Sequence, residues 1–317
     1  ALRPRSAPAG VPPGLTFLPE QFDVLVIGGG PAGYAAALYG ARAGLNIAVV
    51  EKEKVGGTCL HRGCIPAKEY LETASVYRTV SHAKDFGIVS DQPTIEFATS
   101  QQRKQKVVDQ LWKGLAGLMK QRKITTYIGT GRLDADGVVR IGGGEADGVE
   151  LTGTNVLLAA GSVPRTLPGF DVDGRYVLTS DEVLMLDALP TSAVVVGGGA
   201  IGCEFASAMA DLGVQVTVLE FVPQILTGTD KDAAEVVARS FKKRGIDVRT
   251  GVEVKGHTPT PDGSQTVVAF GDGETVTADL IVIPVGRLPP THGPLGVGSP
   301  AAVAERGLLR VGPWPPP

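Results

Sequence analysis

Cysteine is scarce in this sequence, with three residues among 317. That excludes a small disulfide-built secreted scaffold. Surplus charge is scarce as well: 30 Lys and Arg stand against 33 Asp and Glu, for a net charge of −3. The basic residues are scattered, so the electrostatic footprint of a nucleic-acid-binding protein is missing. No apolar run approaches the ~20 residues that a membrane-spanning helix needs, and no secretory signal pattern is read. Histidine is limited to His61, His82, His257 and His292, and no metal-ligand set is read from them. These absences predict a soluble, cytoplasmic protein in a reducing compartment, in contact with neither membrane nor nucleic acid.

Glycine, by contrast, is abundant at 43 residues, and a hydrophobic content of 43% allows sizeable cores. The length suits about two domains of ~100–200 residues. Residues 1–20 are rich in Pro, Ala and Gly and read as a disordered tail or linker. Val24–Ile27 reads as a buried strand. It runs into Gly28-x-Gly30-x-x-Gly33, a helix from Tyr34 to Ala43, and a second strand ending in Glu51. Glycines in this pattern let the backbone approach a pyrophosphate, which rests on the helix N-terminus. Glu51 falls where an acid accepts ribose hydroxyls.

The same unit occurs twice. Adding 169 (197 − 28) to Gly28, Gly30, Gly33, Gly44 and Glu51 gives Gly197, Gly199, Gly202, Gly213 and Glu220. Two fingerprints in one register predict two dinucleotide sites, which suits hydride transfer between a nicotinamide and a flavin. Glu220 accepts a 2′-hydroxyl and repels a 2′-phosphate, and Phe221, Val222 and Pro223 follow it with no arginine; the expected nucleotide is NAD. Elsewhere, residues 101–122 carry Val107, Val108, Leu111, Trp112, Leu115, Leu118 and Met119 at helical spacing, which predicts a core-packing helix. Residues 230–244 read as a polar helix closed by Gly245. Cys203, without a partner in the sequence, reads as a small core residue.

Between the two fingerprints lies Gly56-Gly57-Thr58-Cys59-Leu60-His61-Arg62-Gly63-Cys64-Ile65-Pro66-Ala67-Lys68. Two cysteines at this spacing can bond if the backbone between them is distorted, and Gly56, Gly57 and Gly63 supply that freedom. Pro66 suits the first turn of a helix, which puts Cys64 near a helix N-terminus, where a thiolate is stabilised. Two buried thiols or a static disulfide are the plainer alternatives. A reducing compartment and three flanking glycines favour a redox-active pair.

This wording resembles the disulfide motif of the class I pyridine nucleotide–disulfide oxidoreductases, over about residues 22 to 310, and is most similar to that of dihydrolipoyl dehydrogenases. The resemblance implies an α/β fold with two Rossmann-like dinucleotide-binding domains of the three-layer ββα type. Residues 21–165 would be the first segment of the FAD domain, 166–286 the NAD domain, and 287–317 an incomplete return to the FAD domain. It implies FAD at Gly28, Gly30, Gly33, Glu51, Gly57, Thr58, Lys68, Gly131, Ala160, Gly161 and Ser162. It implies NAD at Gly197, Gly199, Gly202, Glu220, Val254 and Gly286. It gives Cys59, Cys64, Lys68 and Glu204 catalytic roles, with Lys68 paired to Glu204 beside the flavin. The implied reaction oxidises dihydrolipoamide: its thiolate attacks Cys59, Cys64 leaves, and electrons pass through FAD to NAD⁺. The implied partners are a second copy of the chain and the lipoyl domain of a 2-oxoacid dehydrogenase or glycine cleavage complex.

The sequence also departs from the family. Ala159-Ala160-Gly161 stands where Ala-Thr-Gly is usual. No counterpart is read for the segment that completes the flavin site, or for the dimerisation domain with its His-Glu acid–base pair. The expectation is an incomplete or truncated chain. The alternatives are another disulfide reductase, a mercuric reductase, or a non-catalytic FAD/NAD-binding fragment.

Overall fold

The computed structural model describes residues 20–89, 91–290, 293–296, 298–299, 301, 303 and 308–310. The expected tail lies outside them up to residue 19, as do His292, Glu305–Gly307 and the terminal proline-rich stretch 311–317.

In chain order the elements are β1 (Glu20–Ile27), α1 (Pro31–Arg42), β2 (Ile47–Glu51), α2 (Gly57–Arg62), α3 (Cys64–Ser81) and α4 (Phe97–Gln121). Then come β3 (Thr125–Ile128), β4 (Thr130–Leu133), β5 (Val139–Gly142), β6 (Glu150–Leu158), β7 (Val163–Pro164) and β8 (Val177–Leu178). α5 (Ser180–Val183), β9 (Ser192–Val196), α6 (Ala200–Asp211), β10 (Gln215–Glu220), α7 (Lys231–Lys243) and β11 (Asp247–Thr250) follow. The last are β12 (Val254–Pro259), β13 (Thr266–Phe270), β14 (Glu274–Ala278), β15 (Leu280–Val282) and β16 (Arg287–Leu288).

The chain divides into two compact units. Among the described residues, the first gathers those in 20–61, 109–163 and 288–310, and the second those in 62–108 and 164–287. In the first, one sheet runs β3-β2-β1-β6-β5-β4. β3, β2, β1 and β6 are parallel, while β5 pairs antiparallel with β6 and β4. Alternation along the central strand decides the layers. Val26 faces Ala37 of α1 and Met119 of α4. Leu25 and Ile27 face Leu133, Val139 and Ile141 of β4 and β5. The strand is therefore buried on both sides, as its unbroken apolar run predicts.

The second unit repeats the scheme. A parallel sheet runs β11-β10-β9-β15-β8, and an antiparallel meander β12-β13-β14 lies on one face. Val195, Val218 and Val282 pack with Phe205 and Met209 of α6 and Tyr70 of α3. Val194, Val196 and Ile281 pack with Val268 and Phe270 of the meander. Both units thus show the expected three-layer α/β arrangement.

α4 departs from its sequence reading. It starts at Phe97, four residues early, and its apolar stripe is only partly covered: Val108 and Met119 are buried, but Leu111 and Leu118 are exposed at 45% and 38%. Lys104 is buried and donates to the carbonyl of Leu184, the C-cap of α5. Burial pushes its ammonium below the usual lysine range. Helical spacing marks which residues share a face. It does not say how wide the covering surface is.

Candidate active site

Each fingerprint loop is built from three glycines with different jobs. Gly28 and Gly197 take left-handed φ values of 105° and 114°, which a side chain rarely adopts. Gly30 and Gly199 are N-caps of α1 and α6, with φ −71° at both and ψ −174° and −177°. Gly33 and Gly202 lie against the strand end: an added Cβ would stand 1.8 Å from the Gly28 carbonyl oxygen and 2.0 Å from that of Gly197. At Gly199 an added Cβ meets nothing within 4 Å. The open space over this helix start fits a pyrophosphate, which the uncovered N–H groups and the helix dipole attract.

The two acids are seated alike. Glu51 is buried, accepting from Gly29 N–H at 2.7 Å and Glu53 N–H at 3.0 Å. Glu220 accepts from Gly198 N–H at 2.5 Å and Val222 N–H at 2.9 Å. One oxygen of each closes its own glycine loop and the other caps the turn two residues on. Each carboxylate keeps lone pairs for ribose hydroxyls. Sequence spacing located the acids but missed these backbone seats. The doubled pattern of an acid and a donor two residues later was the available signal.

Cys59 and Cys64 are joined by a disulfide. Cys59 lies in α2 and Cys64 is the first residue of α3, with Gly63 as N-cap at φ −146°, ψ −113°. The sharp break at Gly63 closes the five-residue span. Cys64 is exposed and Cys59 half-buried, and Thr58 lies in the same turn. His61 turns Nε2 to the Val55 carbonyl at 3.0 Å. Gly56 and Gly57 have φ values of 114° and 56°. Gly56 N–H donates to the Gly29 carbonyl at 2.7 Å, and a Cβ on Gly57 would stand 2.7 Å from the Gly30 Cα. The redox loop and the first fingerprint loop therefore touch backbone to backbone.

Lys68 lies one turn beyond Cys64 on α3, and Glu204 lies in the first turns of α6. Their side chains pair at 2.7 Å, although 136 residues separate them in sequence. Both are substantially exposed, at 61% and 41%. An exposed pair contributes under ~1 kcal/mol to folding, so stability alone is a weak reason for it. Cys203, beside Glu204, is buried and donates to the Gly198 carbonyl at 3.3 Å. Burial pushes its thiol up to about 11, which makes it inert at neutral pH.

The remaining predicted residues are placed as follows. Ala160, Gly161 and Ser162 lie in the connection from β6 to β7. Ala159 N–H donates to the Ile27 carbonyl at 2.8 Å. Leu158 to Gly161, with Pro289, Pro290, Pro294, Leu295, Leu308 and Leu309, line a cavity of about 230 Å³ in the first unit. Gly131 lies in β4, where an added Cβ would meet Val50 at 2.9 Å, so packing alone demands glycine there. Val254 opens β12, half-buried on the meander core. Gly286 takes φ 106°, and its carbonyl accepts from Arg165 N–H at 3.0 Å.

Comparisons with known proteins agree with this geometry. Residues 22–311 match the family described as pyridine nucleotide-disulphide oxidoreductase. A dihydrolipoyl dehydrogenase of Bacillus subtilis is 43% identical over 303 residues, covering 92% of this chain and 64% of that protein. One from Chlamydia pneumoniae is 38% identical over 269 residues, covering 84% and 57%. Among solved structures, LpdA from Mycobacterium tuberculosis matches with a TM-score of 0.83 at 26% identity, covering 91% of this chain and 63% of that one. The copper(II) complex of the HOCl-induced flavoprotein disulfide reductase RclA from Escherichia coli matches with a TM-score of 0.80 at 27% identity, covering 92% and 62%. The chain spans about three fifths of the length of these relatives. It belongs to the pyridine nucleotide-disulphide oxidoreductase family, whose members work with FAD and NAD(H).

Proposed function

We propose that the protein takes electrons from dihydrolipoamide through the Cys59–Cys64 disulfide and delivers them to NAD⁺. The observation that carries this reading is the backbone contact between the redox loop and the first fingerprint loop, through Gly56 and Gly29. In this reading residues 21–165 carry FAD and residues 166–286 carry NAD. Bound FAD supplies the two-electron relay between dithiol and nicotinamide.

The chain's own part is thiol exchange. A substrate thiolate bonds to Cys59 Sγ, the Cys59–Cys64 bond breaks, and Cys64 leaves as a thiolate. The second substrate thiol then attacks its partner sulfur, closing the cyclic lipoamide disulfide and releasing Cys59. Two electrons have moved from substrate to protein. Cys64 is the better leaving group because it opens α3, where the macrodipole favours negative charge. Lys68 and Glu204 hold a fixed charge pair one turn away. The proposed partners are a second copy of the chain and a lipoyl domain presenting the substrate.

Anaerobic addition of dihydrolipoamide to the flavin-loaded protein is expected to bleach the visible flavin bands, and NADH then forms when NAD⁺ is added. Bleaching by NADH but not by dihydrolipoamide favours the second reading, an NADH-driven disulfide reductase. That reading draws support from the likeness to the HOCl-induced reductase.

Nucleotide choice is tested at Glu220. Charged hydrogen bonds contribute ~1.5–3 kcal/mol, so Glu220→Arg is expected to lower the preference for NAD over NADP by about 10- to 100-fold. Glu220→Gln separates charge from seating, since its amide oxygen can still accept from Gly198 or Val222. Equal KM ratios in wild type and the Arg variant would refute the assignment.

A further inference from the structure

Residues 221–230 join β10 to α7 and fold back on the second fingerprint loop. Leu226 N–H donates to the Gly198 carbonyl at 2.7 Å. The neighbouring Ile225 is buried against Gly198, where an added Cβ would stand 2.7 Å from Ile225 Cγ2. Leu226 shares the carbonyl with the Cys203 thiol, a weak donor at 3.3 Å. Gly198 N–H is held by Glu220 at 2.5 Å. Both backbone groups of Gly198 are therefore tied down.

Leu226 reaches this carbonyl with a left-handed backbone, at φ 54°. Among the described residues the one other non-glycine with positive φ is Lys123, at 59°. A bulky residue stays in that region only where its surroundings hold it. Here Leu226 packs on the apolar core of the second unit, and its carbonyl accepts from Thr229 N–H at 2.9 Å. The first unit has the same arrangement built from glycine. Subtracting 169 turns Gly198 into Gly29 and Leu226 into Gly57. The Gly29 carbonyl accepts from Gly56 N–H, also at 2.7 Å, and Gly57 takes φ 56°. The donor differs by one residue, but the held carbonyl and the left-handed position recur. Where the first unit has a residue free of strain, the second has a leucine.

A trans peptide is planar, so its carbonyl and its N–H point opposite ways. Holding the Gly198 carbonyl toward Leu226 turns Gly199 N–H away from it, at the N-cap of α6. Backbone N–H groups at a helix start are what an anionic phosphate meets. We infer that Leu226 is a positioning residue for NAD, whose left-handed backbone fixes the peptide between Gly198 and Gly199 so that the start of α6 is presented to the pyrophosphate. This rests on the reading of the second fingerprint as the NAD site. The effect comes from the backbone angle and not from the bulk of the side chain, and the two origins predict opposite orders among variants.

The test is the Kd for NAD⁺, measured by isothermal titration calorimetry on the oxidised, flavin-loaded protein. Leu226→Ile keeps the volume, but a β-branched residue resists the left-handed region. It is expected to weaken NAD⁺ binding by about three- to tenfold, the effect of losing one backbone hydrogen bond. Leu226→Gly and Leu226→Asn lose the apolar side chain yet adopt a left-handed backbone readily, and both are expected to bind within about twofold of wild type. Affinity that follows side-chain size, with Ile equal to wild type and Gly and Asn weaker, overturns the inference. Equal affinities in all four proteins overturn it as well. If the Ile variant does not fold, the Gly and Asn variants decide alone, because a packing role weakens them and a backbone role does not. Amide hydrogen exchange separates the inference from the reading beneath it. Leu226 N–H is expected to exchange at least about tenfold faster in the Ile variant than in the other three proteins. That order in a wild-type protein that binds no NAD⁺ would sink the NAD assignment and leave the backbone clamp standing. NAD⁺ binding without that order would sink the clamp and leave the assignment.

Discussion

Replacing Cys64 with Ser is expected to reduce turnover of dihydrolipoamide with NAD⁺ by at least about a thousandfold, equivalent to ~4 kcal/mol of barrier. The reason lies in the geometry of exchange. The half-buried Cys59 is the attacked sulfur in the proposed mechanism, and Cys64, at the head of α3, is the group that leaves. A serine at 64 cannot form the disulfide, so no sulfur–sulfur bond accepts the substrate's electrons. NADH should still bleach the flavin in this variant, because its route runs through the second fingerprint and not through the thiols. The two readouts together discriminate. Loss of both would mean that the substitution damaged the flavin site. Retention of dihydrolipoamide turnover would mean that the disulfide is not the electron carrier.

The second large effect concerns glycines with no chemistry of their own. Gly33→Ala places a Cβ 1.8 Å from the Gly28 carbonyl oxygen and 3.0 Å from its carbon. No rotamer relieves a clash with backbone, so α1 must shift away from β1. Overpacking of this kind costs ~1–3 kcal/mol, and more where backbone is the obstacle. The variant should melt several degrees lower and be purified with little flavin. Gly202→Ala meets the Gly197 oxygen at 2.0 Å and should do the same to the second unit. Gly199→Ala is the informative control. Its Cβ touches nothing and its backbone is extended, so stability should hold. The methyl would stand where the pyrophosphate approaches the helix start, so NAD binding should weaken by at least tenfold while flavin content is unchanged. A Gly199→Ala protein that binds NAD normally would remove that loop from the site.

Much of this was legible in the sequence because it is local. The offset of 169 residues predicted two equivalent loops, and the equivalence extends to φ values of 105° and 114° and of 88° and 89° at Gly44 and Gly213. Strand periodicity gave the buried runs. The apposition of Lys68 and Glu204 could not come from local pattern, since it depends on how α3 lies on α6, and only the family resemblance pointed to it. The Arg62–Asp181–Arg287 cluster, with both arginines within 4.0 Å of one carboxylate, went unread for the same reason. Its members lie more than 100 residues apart, and a single arginine at the end of a six-residue helix carries no periodic signal. The burial of Lys104 was not legible either, because residue type does not fix environment: a carbonyl at the end of α5 is partner enough for a buried ammonium.

The contact of Gly56 and Gly57 with Gly29 and Gly30 has a consequence for how such a chain can change. A methyl group on Gly57 would overlap the Gly30 Cα, so drift in the thiol-bearing loop is limited by a loop that never touches a sulfur. Residues 28–33 and 56–57 form one heritable unit, although the rest of α1 and all of β2 lie between them. A thiol loop transplanted onto another nucleotide-binding scaffold would need its glycine landing place moved with it, and a scaffold that lacks that place would accept the cysteines without acquiring their chemistry.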